Sequence, residues 1–377
     1  MNAYSGSAAL PSRQKAPLET DRLAQIVEPL SVDLDRVREL ISDRAFREES
    51  FGDLLLSTTA GGTDLERSLP PWFLDLKRES VETGQSIPNR MAAHLLARGG
   101  KLFRGSLVLS IVRALSTEEN RGPKLAAAME LIHLATLVHD DVIDRADIRR
   151  GVASLPSLYD NAPTVLMGDH LFARAFELIA ECDNLNIISS SCRATSAMCR
   201  GEIEQLHWIG RADVPEEAYF RLIEMKTAAL MASCAESAAL LCGKGDDTAE
   251  WYGFGLRLGL VFQMTDDLLD FTADETSLGK RVSSDAADGK YTLPLILYRE
   301  RIGGADALED FLRESEDPND IFEALEREGA FEATRKRIEE LAGTCHADLD
   351  RLDGKAAGEL AFARIHELVD FVVERDR

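Results

Sequence analysis

The chain has 377 residues and a formal net charge of −23, with 66 acidic against 43 basic side chains. That is enough chain to bury a substantial core, and the charge argues against nucleic acid or an anionic lipid surface as partner. Its six cysteines form no CxxC pair and lie mostly in apolar helical context, which fits reduced core thiols of a cytoplasmic protein rather than a disulfide frame or a zinc site.

Residues 1–18 are small and polar with two prolines and no apolar signal core, so a disordered tail is expected there. Helical spacing of apolar positions begins in LAQIVEPLSVDLDRVRELI. Residues 45–88 are irregular, punctuated by Gly61-Gly62, Pro70-Pro71 and Pro88. From Met91 onward one apolar helix pattern follows another, with β-branched alternation scarce. Breaks are expected at Gly99-Gly100, 150–163, 210–215, 243–247, 276–290 and Gly303-Gly304. No stretch has the apolar length of a membrane span. The pattern predicts an all-α fold, with residues 19–377 forming a single large helical bundle around a central cavity.

Two copies of Asp-Asp-x-x-Asp stand out: Asp140, Asp141 and Asp144, then Asp266, Asp267 and Asp270. Each ends an apolar helical run, LIHLATLVHDD and LRLGLVFQMTDD. Residues four apart share a helix face, so Asp140 with Asp144, and Asp266 with Asp270, point at common sites. Carboxylates closing a buried stripe are costly unless cations neutralise them. Hard oxygen ligands suit Mg²⁺, which completes its shell with water and substrate phosphates. A single short motif in so acidic a chain reads as a solvated helix end; two in matching context point to an enzyme acting on a phosphorylated substrate.

Cations lie close by in sequence. Arg149 and Arg150 follow the first motif, and Lys280 and Lys290 the second, in SLGKRVSSDAADGKYTLP. Lys101 and Arg104 sit in GGKLFRG before an apolar helix, and Lys226 is expected to start another, KTAALMASCAESAALL. Each alone reads as a surface charge. Beside glycines at a helix start, backbone N–H groups add to the attraction for an anion, and Arg and Lys both serve phosphate oxygens.

In this order, GGKLFRG, ELIHLATLVHDDVIDRADIRRG, GDHLFARAF, GEIEQ, KTAAL, FQMTDDLLD, the GK…DGKYTLPLI pair and the ending LVDFVVERDR resemble the trans-isoprenyl diphosphate synthases, or polyprenyl synthetases. The resemblance spans about residues 90–377 and is to the long-chain members in particular. It implies that the six aspartates hold Mg²⁺, three ions per active site, on an allylic diphosphate. It implies that Arg149, Lys226, Thr227, Gln263, Lys280 and Lys290 contact the same group, with Asp140, Asp144, Asp266, Lys226 and Lys280 central to catalysis. Isopentenyl diphosphate would bind without metal on Lys101, Arg104, His133 and Arg150. A homodimer is also implied. The family's GGKRxRP departs here to GGKLFRG, with Leu102 and Gly105 in place of Arg and Pro, which removes one expected cation. His170 in GDH stands where an aromatic is common and is expected to be a core or helix-surface histidine.

The resemblance also bears on product length. Bulky aromatics just before the first motif form a floor in short-chain members. Here those positions are Ala135 and Thr136, which implies an open tunnel and a long all-trans polyprenyl product; a shorter farnesyl or geranylgeranyl product is the alternative. Two readings come from other classes. A terpene cyclase would also ionise an allylic diphosphate but generally lacks the second motif. A di-iron bundle would use Glu-x-x-His pairs, and Glu130–His133 and Glu204–His207 have that spacing.

Overall fold

The computed structural model describes residues 19–46, 86–97, 101–116, 119–149, 151–272, 284–315, 317–353 and 359–375. The expected tail, most of the irregular segment 45–88, Gly99-Gly100, Arg150 and Lys280 lie outside them. The architecture is all-α, as the spacing of apolar residues predicts. Its only strands among the described residues are the two-residue pair β1 (Ile148–Arg149) and β2 (Val152–Ala153), antiparallel across the turn after the first acidic motif.

The helices in chain order are α1 (Glu19–Val27), α2 (Ser31–Phe46), α3 (Ile87–Leu96), α4 (Phe103–Leu115) and α5 (Gly122–Ile143). After the β-turn come α6 (Leu155–Tyr159), α7 (Asn161–Ala180) and α8 (Leu185–Trp208). Helix α9 (Glu216–Ile223) runs through a π-turn (Glu224–Ala228) into α10 (Ala229–Leu241). Then follow α11 (Thr248–Thr272), α12 (Ser284–Ala287), α13 (Leu293–Ile302), α14 (Ala305–Glu314), α15 (Pro318–Arg327), α16 (Ala330–Asp353) and α17 (Glu359–Glu374).

Helix α10 is the axis of the bundle. Apart from Glu236 it is apolar or small on every side, and nearly all its residues are buried, the mark of a helix enclosed by others. Helices α4, α8 and α11 pack around it, while α5 pairs with α7 and α16 lies along α11. Small residues set the approach of α11: a Cβ added at Gly259 would lie 2.4 Å from the Ala228 Cα. The two acidic motifs therefore end helices held rigidly against one core, which buries Leu131, Ile132, Val138, Phe254, Leu258 and Val261 alike.

Two sequence expectations shift. The segment 150–163, expected as a break, holds α6 and the start of α7, because Ser154 and Asp160 act as N-caps through their side chains. Lys226 does not start a helix. It lies in the π-turn of a helical stretch already running from Glu216, an insertion common at functional sites.

Candidate active site

The C-terminal ends of α5 and α11 open into one cavity of about 670 Å³. Asp140, Asp266 and Asp267 line it, with Lys226, Thr227, Gln263, Lys290, Arg104, His133 and Thr136. Asp144 and Asp270, one turn beyond, meet groups that line the cavity: the Lys290 Nζ lies 3.3 Å from an Asp144 oxygen, and the Asp285 backbone N–H donates to Asp270 over 3.1 Å. Arg375, from the end of α17, pairs with Asp266 at 2.9 Å and sits 4.2 Å over the Phe262 ring.

The middle aspartates behave differently from the outer ones. Asp141 is buried and held by Arg149, which also reaches the Leu137 carbonyl at 3.3 Å. This pair lines a small separate pocket beside His94 and Ala153, so the Arg149 guanidinium is committed to Asp141. Asp267 is buried between the Tyr219 hydroxyl, which donates over 2.6 Å, and the Gln263 amide, which donates over 2.7 Å. Gln263 accepts in turn from Thr227 at 2.6 Å. The middle carboxylate of each motif thus fastens its helix end to a neighbour, while the outer ones lie at the cavity or against groups around it.

The π-turn is what brings Lys226 and Thr227 to this surface. Lys226 Nζ lies 2.9 Å from Glu202 and donates to Gln205, both on α8. Opposite stands Gly201, where an added Cβ would come within 2.8 Å of the Lys226 Cγ; glycine is required for the close packing of α8 on the turn. Glu202 and Gln205 belong to the GEIEQ motif, and their i, i+3 spacing was their one local signal. Tyr219, Asp285 and Arg375 had none, because they join the site only through tertiary packing.

Electrostatics fit a divalent, oxygen-seeking cation between the motifs. Burial, reinforced by Glu202 and Asp144 against Lys226 and Arg149, pushes Asp140 up to about 7. Burial, with Asp285 and Asp266 beside it, also holds Asp267 well above the usual carboxylate range. Lys290 is raised despite its burial, because Asp144, Asp285 and Asp288 surround it. Among the described residues no three carboxylate, imidazole or thiol groups already converge on one cation position. The outer aspartates would supply some ligands to Mg²⁺ and leave the rest to water and phosphate.

A proton-linked consequence follows from Asp140. An unfolded aspartate titrates near about 3.9, so between about pH 4 and pH 7 the folded chain binds more protons, and stability is lost as pH rises through that window. Chelator-treated protein is expected to melt at a lower temperature at pH 8 than at pH 5.5. Asp140→Asn should narrow that difference, as read by circular dichroism.

A basic corner adjoins the aspartates. Arg104 is buried, its pKa pulled down by burial and partly restored by Glu130 and Asp266. Its Nε has no hydrogen-bond partner, an uncompensated donor suited to a phosphate oxygen. His133 is half-buried beside it in the cavity wall, whereas Lys101 is exposed. Leu102 is buried at the entry to α4, and the Gly105 N–H donates to Glu130 over 2.7 Å. A proline at 105 could not make that bond, so the departure from the family pattern is locally compensated, though the missing cation is not.

The chain-length candidates separate. Thr136 lines the cavity with Leu137, Phe172, Met198 and Ile203. Ala135 is fully buried and is not part of that lining. His170 is half-buried, its pKa lowered by burial, facing α2 at Ala45. The di-iron reading loses its second pair, since Glu204 is engaged by Arg221 and His207 lies 2.9 Å from Arg211.

Residues 85–327 match the family model for polyprenyl synthetase, and the chain belongs to that family; it is a prenyltransferase. Its likeness is to the long-chain polyprenyl diphosphate synthases. It is 33% identical to the octaprenyl diphosphate synthase of Escherichia coli over 306 residues, covering 79% of this chain and 93% of the relative. It is 42% identical over 217 residues to heptaprenyl diphosphate synthase component 2 of Geobacillus stearothermophilus, covering 57% of this chain and 68% of that one. Among solved structures, a polyprenyl synthase from Caulobacter crescentus, complexed with calcium and isoprenyl diphosphate, superposes with a TM-score of 0.77 at 30% identity, over 97% of this chain and 100% of that one.

Proposed function

We propose that the chain condenses isopentenyl diphosphate head-to-tail with an allylic diphosphate to give a long-chain all-trans polyprenyl diphosphate, using Mg²⁺. The observation that carries this reading is the meeting of Asp140 and Asp266, from two different helices, with Lys226 and Lys290 in one cavity whose far wall is apolar. Lys226 and Lys290 would hold oxygens of the allylic diphosphate, with Thr227 and Gln263 beside them, and Arg104 and His133 would hold isopentenyl diphosphate. Lys101 and the undescribed Arg150 and Lys280 complete these sets by family resemblance. When bound, Mg²⁺ would neutralise charge on the departing diphosphate.

The allylic C–O bond breaks heterolytically, leaving a carbocation and diphosphate. The double bond of isopentenyl diphosphate attacks the cation, and a proton passes to the released diphosphate. No protein nucleophile is needed. One unit charge pair at about 4 Å is worth on the order of 4 kcal/mol at an effective dielectric near 20. Several such contacts on one leaving group therefore match the roughly 8–23 kcal/mol of enzymatic barrier lowering. Leu137, Phe172 and Met198 would keep water from the cation.

The described segments share one apolar core, which supports residues 19–377 as one catalytic domain. Unpaired thiols at all six cysteines and the absence of any described helix long and apolar enough to cross a membrane are compatible with work in the cytoplasm. A homodimer is supported by α8, which exposes Leu185, Ser189, Cys192, Ser196, Cys199, Ile203 and Leu206 at alternating spacings of four and three. This is the seam expected of a helix packed on another; Leu185, Ile203 and Leu206 are 82%, 69% and 59% exposed, a patch that calls for a partner. Ile203→Glu with Leu206→Glu should halve the mass seen by light scattering; an unchanged mass would remove α8 from the interface.

The deciding experiment is incubation of the protein with isopentenyl diphosphate, Mg²⁺ and allylic primers of several lengths, followed by product sizing. Elongation to long polyprenyl chains is expected. Cyclised product without consumption of isopentenyl diphosphate would favour a cyclase, and no reaction with any primer would sink the proposal.

A further inference from the structure

We propose that His346 and His366 form a binding site for a late first-row transition-metal cation, of the Zn²⁺ or Cu²⁺ type, that clamps α16 to α17 outside the aspartate cavity. The site is built from two His-x-x-x-Asp pairs, His346 with Asp350 on α16 and His366 with Asp370 on α17. Each pair shares one face of its helix. The helices run antiparallel there, so that each histidine meets the other helix's aspartate.

The two Nδ1 atoms lie 2.7 Å apart, with ring planes within 4° and centroids 5.0 Å apart. These values together mean that the rings meet edge to edge in one plane, nitrogen facing nitrogen. Only one hydrogen fits on that line. The outer nitrogens face carboxylates: His346 Nε2 is 3.0 Å from Asp370 Oδ1, and His366 Nε2 is 3.7 Å from Asp350 Oδ1. An ionised carboxylate only accepts, so His346 carries its hydrogen on Nε2 and turns its Nδ1 lone pair toward His366. At 3.7 Å Asp350 is too far to fix the tautomer of His366, which can donate from Nδ1 to His346. With its hydrogen on Nε2 instead, two lone pairs face one point and a cation can lie between them.

A proton can serve, and so can a metal. A carboxylate behind each imidazole is the arrangement that orients metal-binding histidines and strengthens them as ligands. Tetrahedral coordination with bonds of about 2.0–2.1 Å needs the nitrogens about 3.3 Å apart and each lone pair turned about 35° off the line that joins them, so each ring must move by about 0.3 Å and tilt as it does so. The two side chains are 31% and 27% exposed, leaving room for water to complete the shell. Imidazole selects zinc, copper and nickel, whereas Mg²⁺ prefers oxygen, so this site would not compete for an ion at the aspartates. Helix α17 ends next to Arg375, the partner of Asp266, so the clamp steadies the helix that delivers Arg375 to the cavity.

The test uses full-length protein in excess Mg²⁺, which blocks the aspartates. One equivalent of Cu²⁺ is expected to give an electron paramagnetic resonance spectrum with hyperfine structure from two imidazole nitrogens. His346→Gln and His366→Gln should each reduce this to one nitrogen and weaken Zn²⁺ binding at least tenfold, measured against a chromophoric chelator. Asp370→Asn keeps both ligands and should weaken Zn²⁺ about 10- to 100-fold. A wild-type Cu²⁺ spectrum showing fewer than two nitrogens overturns the proposal, as does equal Zn²⁺ affinity in wild type and all three variants; the first of these needs no variant to fold.

Discussion

Asp140→Asn and Asp266→Asn are each expected to lower kcat/KM for polyprenyl synthesis by about 10³-fold, roughly 4 kcal/mol of transition-state stabilisation. The allylic diphosphate is already anionic when bound and gains a further negative charge as the C–O bond breaks, so the part of the loss tied to that added charge should fall on kcat. The metal-free protein should respond in the opposite sense. Asp140 is half-buried, and burial with Glu202 and Asp144 beside it pushes its pKa up to about 7, so its ionised form is a burden on the fold at pH 8. Asp140→Asn removes that burden and should raise the melting temperature. Asp141→Asn should do the reverse, because buried Asp141 is the partner of Arg149 and fastens the end of α5; losing one member of such a pair leaves the other uncompensated. Steady-state kinetics and thermal melts on the three variants check this. A stable Asp141→Asn, or an Asp140→Asn that keeps wild-type kcat, would contradict the division between outer and middle aspartates.

That division marks the limit of what could be read from the chain. The motif spacing placed Asp140 with Asp144 and Asp266 with Asp270, because a helical repeat is a local rule. It could not say where the middle residues go, since Asp141 and Asp267 are settled by Arg149, Tyr219 and Gln263, all brought in by packing. The helical bundle was legible for the same local reason: apolar periodicity reports which face is buried. The π-turn was not, because one inserted residue only shifts the apolar spacing by a position, and a run as uniformly apolar or small as KTAALMASCAESAALL does not show the shift, so Lys226 read as a helix start when it lies inside one. The family resemblance assigned Arg149 to the allylic diphosphate, whereas its side chain lies against Asp141. Ala135 and Thr136 could not be told apart, since both are small and adjacent; only the position of the cavity separates them.

Thr136→Phe is therefore expected to shorten the product, and Ala135→Phe is not. Thr136 lies in the cavity wall one turn before Asp140, beside Leu137, Phe172 and Met198. A phenyl ring there would stand in the path of a tail growing away from the diphosphate, and elongation would stop when the terminal isoprene unit meets it. Thr136 Oγ1 donates only to the His133 carbonyl of its own helix, at 2.8 Å, a bond whose loss leaves the carbonyl its place in the helical ladder. The variant should fold, keep its first condensation step, and release a product several isoprene units shorter. Ala135 is fully buried in the core, away from the cavity lining. A ring there overpacks the core at a cost of about 1–3 kcal/mol, so Ala135→Phe should lower the melting temperature while any active protein still makes the full-length chain. Chromatography of the dephosphorylated products reads both outcomes. Full-length product from Thr136→Phe would mean that the tail leaves the site by another wall, and the apolar groups across the cavity on α8, Met198 and Ile203, would then be the positions that set its length.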